Sequence, residues 1–256
     1  MTRQKEHAQQ FNNLHVRGDP LILFNIWDAG SAKAVASSGA KAVATGSWSV
    51  AAAHGFNDGE ALPLELMLEN LERIVASVDL PVTCDVEGGY GSQPADVAKT
   101  ITNVITAGAS GVNLEDQIVG GSGLYSVKDQ CARVRAARDA AGSAGVPLFI
   151  NARTDVFLKL DRADYNSEFL KEALHRAEAY TDAGANGFFA PGLSDAGSIE
   201  ELCRRSPLPV NVMVLPDMPS FKQLADMGVA RISYGPSPYR QVMEALTEAG
   251  RAALSP

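Results

Sequence analysis

Eight short apolar runs, each set apart from the next by a longer stretch of helical composition, constrain the fold of this chain more than any other feature. They are LILFNI (21–26), AVATGS (42–47), PVTCDVE (81–87), GVNLED (111–116), LFINART (148–154), GFFAPG (187–192), PVNVMV (209–214) and RISYGP (231–236). Between them lie segments such as ELMLENLERIVASV (65–78) and DQCARVRAARDAAGSA (129–144), which read as helices. Two kinds of punctuation precede the runs: a small-Gly-small stop (SSGAKAV, TAGASGV, DAGANGF, DMGVARI) or a proline (DLPV, GVPL, PLPV). Glycine suits the residue just past a helix end, and proline suits the first residue of a strand, where its missing N–H costs least. Eight strand–helix alternations over 256 residues predict an α/β fold, a single-domain (β/α)8 TIM barrel. An open doubly wound sheet would carry a glycine-rich first turn, and no GxGxxG follows the first run. No linker or composition shift divides residues 1–256.

Composition narrows the partners. The formal charge is -8 and no Lys/Arg cluster stands out, which argues against nucleic acid and anionic membranes. Cys84, Cys131 and Cys203 are too scattered for a disulfide framework or a metal knuckle, so a reducing compartment is expected. The polar N-terminus and the lack of an 18-residue apolar run make a cytoplasmic protein the expectation.

In a barrel of this kind the chemistry sits at the carboxyl ends of the strands. Here those ends are polar: Asn25 and Asp28; Thr45, Ser47 and Ser49; Asp85 and Glu87; Asn113, Glu115 and Asp116; Asn151, Arg153 and Asp155; Asn211. Strand residues i and i+2 share a face, so Asp85 with Glu87, Asn113 with Glu115, and Asn151 with Arg153 are expected to point into one mouth. Carboxylates crowded in low dielectric raise one another's pKa, and a divalent cation relieves them. An all-oxygen donor set suits Mg²⁺ or Mn²⁺. Arg153, a planar fork, suits a substrate carboxylate.

Plainer roles compete with these. Asp28, Asp116 and Asp155 read better as helix N-caps or loop residues. Asp85 and Glu115 read as functional, because an unpaired acid among apolar neighbours is expensive. Ser47, Trp48 and Ser49 fit either a wet rim or a binding role, and His54 and Cys84 read as packing or surface residues. No lysine lies in any run, which disfavours a Schiff base. No GxSxG elbow is present, and SYGPSPY (233–239) is a weak phosphate grip.

Over nearly its whole length, from FNNLH to SPYRQV, the chain resembles the isocitrate lyase/phosphoenolpyruvate mutase superfamily. DVEGGYG is similar to that family's Asp-x-Asp-x-GYG stretch, with Glu87 in place of the second Asp. LEDQ (114–117) and ARTD (152–155) match its motifs after the fourth and fifth strands, and FNDGE (56–60) resembles a segment that supplies a further acid, Asp58. The resemblance implies that Asp85 ligates Mg²⁺ directly, with Glu87, Glu115 and Asp58 holding it through water. It implies that Gly46, Ser47 and Trp48 offer N–H groups to substrate, and that Arg153, Asn113 and Asn211 bind its oxygens. Catalytic roles then fall to Arg153, Glu115 and Asp58. Such enzymes make or break a C–C or P–C bond beside a 2-oxo acid through an enolate.

The departures narrow the choice. Lyases of the family carry a Lys-Lys-Cys-Gly-His loop after the fourth strand, and here that segment reads IVGGSGLYS (118–126). Cys131 is a poor substitute on its helical stretch, and Ala190 and Gly192 stand where lyases place an acid after the sixth strand. The Asn- and Lys-bearing loop of phosphonopyruvate-handling members is absent too. The expectation is a Mg-dependent lyase or decarboxylase of a small 2-oxo acid, oxaloacetate decarboxylase-like. Phosphonomutase or phosphonopyruvate hydrolase chemistry is the first alternative, and a non-catalytic 2-oxo acid binding barrel the second. A homo-oligomer is expected, dimer or tetramer, in which the amphipathic last helix (238–254) is open to exchange between subunits.

Overall fold

Parallel neighbours need a long crossover between them, and this chain supplies a helix at each one. The computed structural model describes residues 2–158 and 167–255. Its strands are β1 (Leu21–Leu23), β2 (Val43–Ala44), β3 (Val82–Asp85), β4 (Gly111–Glu115), β5 (Phe149–Arg153), β6 (Gly187–Phe189), β7 (Val210–Met213) and β8 (Arg231–Ser233). All pairings are parallel, in the order β1-β8-β7-β6-β5-β4-β3-β2. A parallel bridge between Ile26 and Thr45 joins the two ends of that order. The expected barrel is therefore the observed one, and every predicted run contains its strand.

The helices are α1 (Arg3–Asn13), α2 (Ala29–Ser37), α3 (Ser47–Ala53), α4 (Leu64–Ser77), α5 (Pro94–Thr106), α6 (Val127–Ala144), α7 (Ser167–Asp182), α8 (Ala196–Arg205), α9 (Phe221–Asp226) and α10 (Ser237–Leu254). The four predicted glycine stops, Gly39, Gly108, Gly184 and Gly228, all take positive φ, as a residue past a helix end must. One predicted boundary moves. The run 42–47 is strand only at Val43–Ala44, because Gly46 already caps α3 and Ser47 starts it.

Strand alternation sorts the side chains. Val112, Leu114, Ile150, Ala152, Phe188, Val212 and Ile232 face the helices and form one apolar layer with residues such as Ile101, Val104 and Val134. Their neighbours Asn113, Glu115, Asn151, Arg153, Asn211 and Arg231 face inward, and the register sets Asn113 beside Asn151 and Glu115 beside Arg153. α1 closes the floor: Phe11 clusters with Leu21, Leu23, Ala42, Ala44 and Phe149, and His15 stacks on Phe149 at 3.8 Å. Gly111 is required here, since a Cβ would stand 2.7 Å from the Phe11 ring.

The outer wall has a gap. Ile22 and Phe24 of the β1 segment are each 37% exposed, while α10 buries only Pro238 and leaves Val242 and Leu246 in solvent. No described helix is long and apolar enough to cross a membrane.

Candidate active site

The segment CDVEGGYG leaves β3 in an unusual way. Asp85 ends the strand, and the chain then takes positive φ at Glu87 (50°), Gly89 (89°) and Tyr90 (56°). Side-chain residues in this region cost about 1–3 kcal/mol each and persist only where their surroundings hold them. Arg133 of α6, 1% exposed, does the holding: its guanidinium donates to the carbonyls of Gly88, Gly91 (2.8 Å) and Ser92 (2.8 Å). Gln130 accepts its Nε–H at 2.9 Å. From the other side Glu60 Oε1 accepts the Tyr90 N–H at 2.7 Å.

The turn changes where Glu87 points. Strand alternation would aim it with Asp85, but the strand has ended, and Glu87 Oε2 accepts the N–H groups of Gly59 and Glu60, each at 2.8 Å. Glu87 thereby ties down the 56–60 loop and brings Asp58 to the mouth. Asp85 itself faces the cavity. Its Oδ2 is approached by Ser47 N–H (3.4 Å) and Ser47 Oγ (3.1 Å), and its own N–H donates to Thr45 Oγ1 at 3.0 Å.

On the next two strands, Glu115 and Arg153 meet at 2.8 Å. Asp155 takes the other side of the same guanidinium, at 2.6 Å to Nε and 2.9 Å to Nη2. Asp155 is held in turn, because its N–H donates to Asp116 Oδ1 at 2.9 Å, and Asp116 Oδ2 accepts from Arg176 (2.9 Å) and Tyr180 (2.8 Å). Of the three acids expected as caps or loop residues, Asp28 caps a helix, accepting from Ser31 N–H, and Asp116 and Asp155 lie in the loops that follow β4 and β5. Asp116 and Asp155 are fully buried and serve instead to fix Arg153.

Below the mouth, Asn113 Oδ1 accepts from Asn151 (2.9 Å) and from Arg231 (3.3 Å). That fixes the amide and leaves Asn113 Nδ2 for the cavity that Asn113 lines. Asn211, expected at the substrate, is 1% exposed and donates to the carbonyls of Val212 (2.9 Å) and Arg231 (3.1 Å). Arg231 is wholly buried, with Nη1 unpartnered among the described residues.

These groups surround a cavity of 170 Å³. Asn25, Gly46, Ser47, Asp58, Asp85, Asn113 and Arg153 line one part, and Trp48, Leu158, Phe189, Pro191, Met213 and Pro236 another. The polar part carries excess negative charge. Burial, then Asp58 and Asp85, push Glu87 up to about 7. Asp58 is raised by desolvation of its carboxyl at the mouth and by Asp85, although the residue as a whole is exposed. Glu115 is raised by burial and by Asp155, Asp85 and Glu87, against the pull of Arg153. Burial works against the Arg153 charge, and Glu115 and Asp155 outweigh it.

Among the described residues no three His, Cys, Asp or Glu side chains converge as a ready metal cage. The donor chemistry nonetheless fits a hard divalent ion: Asp85 offers carboxylate oxygen to the cavity, and the surrounding acids repel one another. Mg²⁺ commonly binds through one or two carboxylates and keeps several waters. Thiols contribute nothing here. Cys84 is buried and raised to about 12, and Cys131 Sγ turns to Ala179 O at 3.4 Å. His54 is exposed at the end of α3. The 118–126 segment forms a tight turn, with Ile118 N–H bonded to Gly123 O at 3.2 Å.

Sequence reasoning missed Arg133, Glu60 and Arg231. An arginine on the buried face of α6 was the visible signal for the first; an arginine inside a predicted strand was the signal for the third.

The geometry agrees with comparisons to known proteins. A phosphoenolpyruvate phosphomutase family model matches residues 11–254. A crystal structure from Burkholderia cenocepacia J2315, of a protein assigned as a phosphonomutase, superposes with TM-score 0.95 at 52% identity, covering 98% of this chain and 99% of that one. 2,3-Dimethylmalate lyase, a PEP mutase/isocitrate lyase superfamily member, superposes with TM-score 0.83 at 25% identity, covering 98% and 87%. The 2-methylisocitrate lyase of Escherichia coli K12 is 28% identical over 250 residues, 93% of this chain and 81% of its own. This chain belongs to the isocitrate lyase/PEP mutase superfamily and is an enzyme of its C–C or P–C bond lyase type.

Proposed function

We propose that the enzyme cleaves a bond beside a small 2-oxo acid and stabilises the enolate left behind, by C–C cleavage or decarboxylation. The observation that carries this reading is the polar part of the cavity, where Asp85, Arg153, Asn113 and Ser47 converge and which no described cysteine or histidine lines. Asp85 would hold Mg²⁺ directly, with Glu87, Glu115 and Asp58 in support. The ion, when bound, supplies Lewis-acid stabilisation of a developing enolate oxygen.

This chain's own groups do the rest. Arg153 spends three N–H groups on Asp155 and Glu115, so each Nη keeps a second N–H for a substrate carboxylate. Asn113 Nδ2 adds a donor whose direction is set from beneath by Asn151 and Arg231. Such preset donors stabilise charge without reorganising at the moment of reaction. Decarboxylation releases CO₂ and needs no acid to protonate a departing fragment, which suits a cavity that no described cysteine lines.

P–C bond chemistry is the second reading, favoured by the 52% identity to the protein assigned as a phosphonomutase. Incubation with Mg²⁺ and either oxaloacetate or phosphonopyruvate, followed by ¹H and ³¹P NMR, separates the two. Pyruvate without inorganic phosphate supports the first, and phosphorus in the products supports the second.

The chain is further proposed to work as a homo-oligomer. The apolar face of α10 around Val242 and Leu246 and the open β1 face at Ile22 and Phe24 are complementary in kind, as an exchanged last helix requires.

A further inference from the structure

We infer that the substrate carries an apolar substituent beyond its 2-oxo acid end in place of a second carboxylate, which selects C–C cleavage over decarboxylation within the proposed function. This deepens the proposed function and rests on it. The mouth is divided by strand. β2 to β5 and their loops supply Ser47, Asp58, Asp85, Asn113 and Arg153. β6 to β8 and their loops supply Phe189, Pro191, Met213 and Pro236, and Leu158 and Trp48 extend the apolar wall.

Among the described residues the apolar part lacks the means to hold an anion. Pro191 and Pro236 have no N–H to donate, and the side chain between Phe189 and Pro191 is Ala190. Asn25, at the boundary, has spent its amide: Oδ1 accepts from Tyr234 and Gly235 (3.0 and 2.9 Å), and Nδ2 donates to Thr45 O (3.0 Å). Ser233 Oγ is engaged by Arg231 and Asn211 inside the barrel. Ser49 Oγ is buried and unpartnered, but it lies on the β2 side.

Among the described residues cations are no better placed. Arg153 lies on the polar side, where its remaining N–H groups face the 2-oxo acid end, and Arg231 is buried beneath Asn113. Arg240 lies over the Trp48 ring, 4.6 Å from its centroid, and does not line the cavity. A second carboxylate set against Phe189, Pro191 and Met213 would lose water and gain no partner, whereas an alkyl group would gain by leaving water. Leu158, 42% exposed at the same wall, is apolar surface that such a group would cover.

Two oxamates with the same head group isolate the difference. The Mg²⁺-loaded protein is titrated calorimetrically with oxalate, N-isobutyloxamate and N-oxalylglycine. Oxalate is expected to bind, and N-isobutyloxamate to bind about 10-fold or more tightly than N-oxalylglycine. The Met213→Lys variant is expected to narrow or invert that ratio. Oxalate binding with equal or reversed affinities for the oxamates overturns the inference and leaves the 2-oxo acid reading standing. Absence of Mg²⁺-dependent oxalate binding overturns both.

Discussion

Arg153 Nη1 stands 2.8 Å from Glu115 Oε2, and the same guanidinium grips both oxygens of Asp155 from its other side. Two buried acids thus fix one cation across the rim between β4 and β5. Lysine cannot reproduce a planar fork that serves three carboxylates at once. The Arg153→Lys variant is therefore expected to fold and to lose about 100-fold in kcat/KM. Arg153→Met leaves Glu115 and Asp155 unpaired and should cost about 3–5 kcal/mol of stability. Steady-state kinetics and urea unfolding check the two.

Asp85 is expected to matter for ligand and little for fold. It lies at the end of β3, half-buried at the cavity, so Asp85→Ala removes the carboxylate without opening the packed layer. Calorimetric Mg²⁺ titration should show binding in the parent and none in the variant, with unchanged circular dichroism.

Arg133 is predicted to be worth more to the site than its distance along the chain suggests. Arg133→Met strips donors from the carbonyls of Gly88, Gly91 and Ser92, beside the left-handed Glu87 and Tyr90. The loss should reach about 3 kcal/mol, since bonds to charged groups count about 1.5–3 each and overlap. Mg²⁺ affinity should fall with it, because Glu87 no longer holds the Asp58 loop in place.

His15 gives the barrel floor a pH dependence. Burial first, then the nearby Arg231 charge, lower it to about 3, and the ring stays neutral with Nδ1–H donating to Phe11 O at 2.8 Å. The unfolded chain takes up the proton near pH 6.5 and the folded one does not. The stability His15 confers is therefore complete above about pH 6.5 and falls by about 1.4 kcal/mol per unit as pH drops from there toward 3. His15→Phe should flatten the slope over that window by about one proton, measured by urea unfolding at several pH values.

Helix α10 is expected to hold subunits together. Leu246 is 63% exposed on a helix that buries little else. Leu246→Glu should reduce the assembly toward monomers in light scattering, and an unchanged mass would contradict the exchange.

The barrel was legible because its periodicity is local. Each run needed only apolar residues between a glycine stop or proline and a polar end, and Gly39, Gly108, Gly184 and Gly228 adopt the backbone that reading demanded. Glu115 and Arg153 were legible as inward rim residues for the same reason: they stay within a strand, where alternation holds. Glu87 was not, because the strand ends at Asp85 and a left-handed turn redirects the side chain toward Gly59 and Glu60. Asp116 and Asp155 looked like caps or loop residues, because a cap and a buried ion pair have the same local sequence. Asp155 pairs with Arg153 only two positions away, a spacing that a cap and an ion pair share, and the partners of Asp116, Arg176 and Tyr180, lie on α7, far along the chain. Arg133 escaped for that reason too, its carbonyl partners lying more than forty positions away.

The most direct test of the central claim is ¹H NMR of the purified protein with Mg²⁺ and a panel of oxaloacetate, phosphonopyruvate and 4-hydroxy-2-oxo acids bearing carboxylate or alkyl ends. The account predicts pyruvate from at least one compound at a rate above that with Mg²⁺ alone, an excess lost when EDTA is added and lost in Asp85→Ala. Turnover that persists in EDTA or in that variant would contradict it.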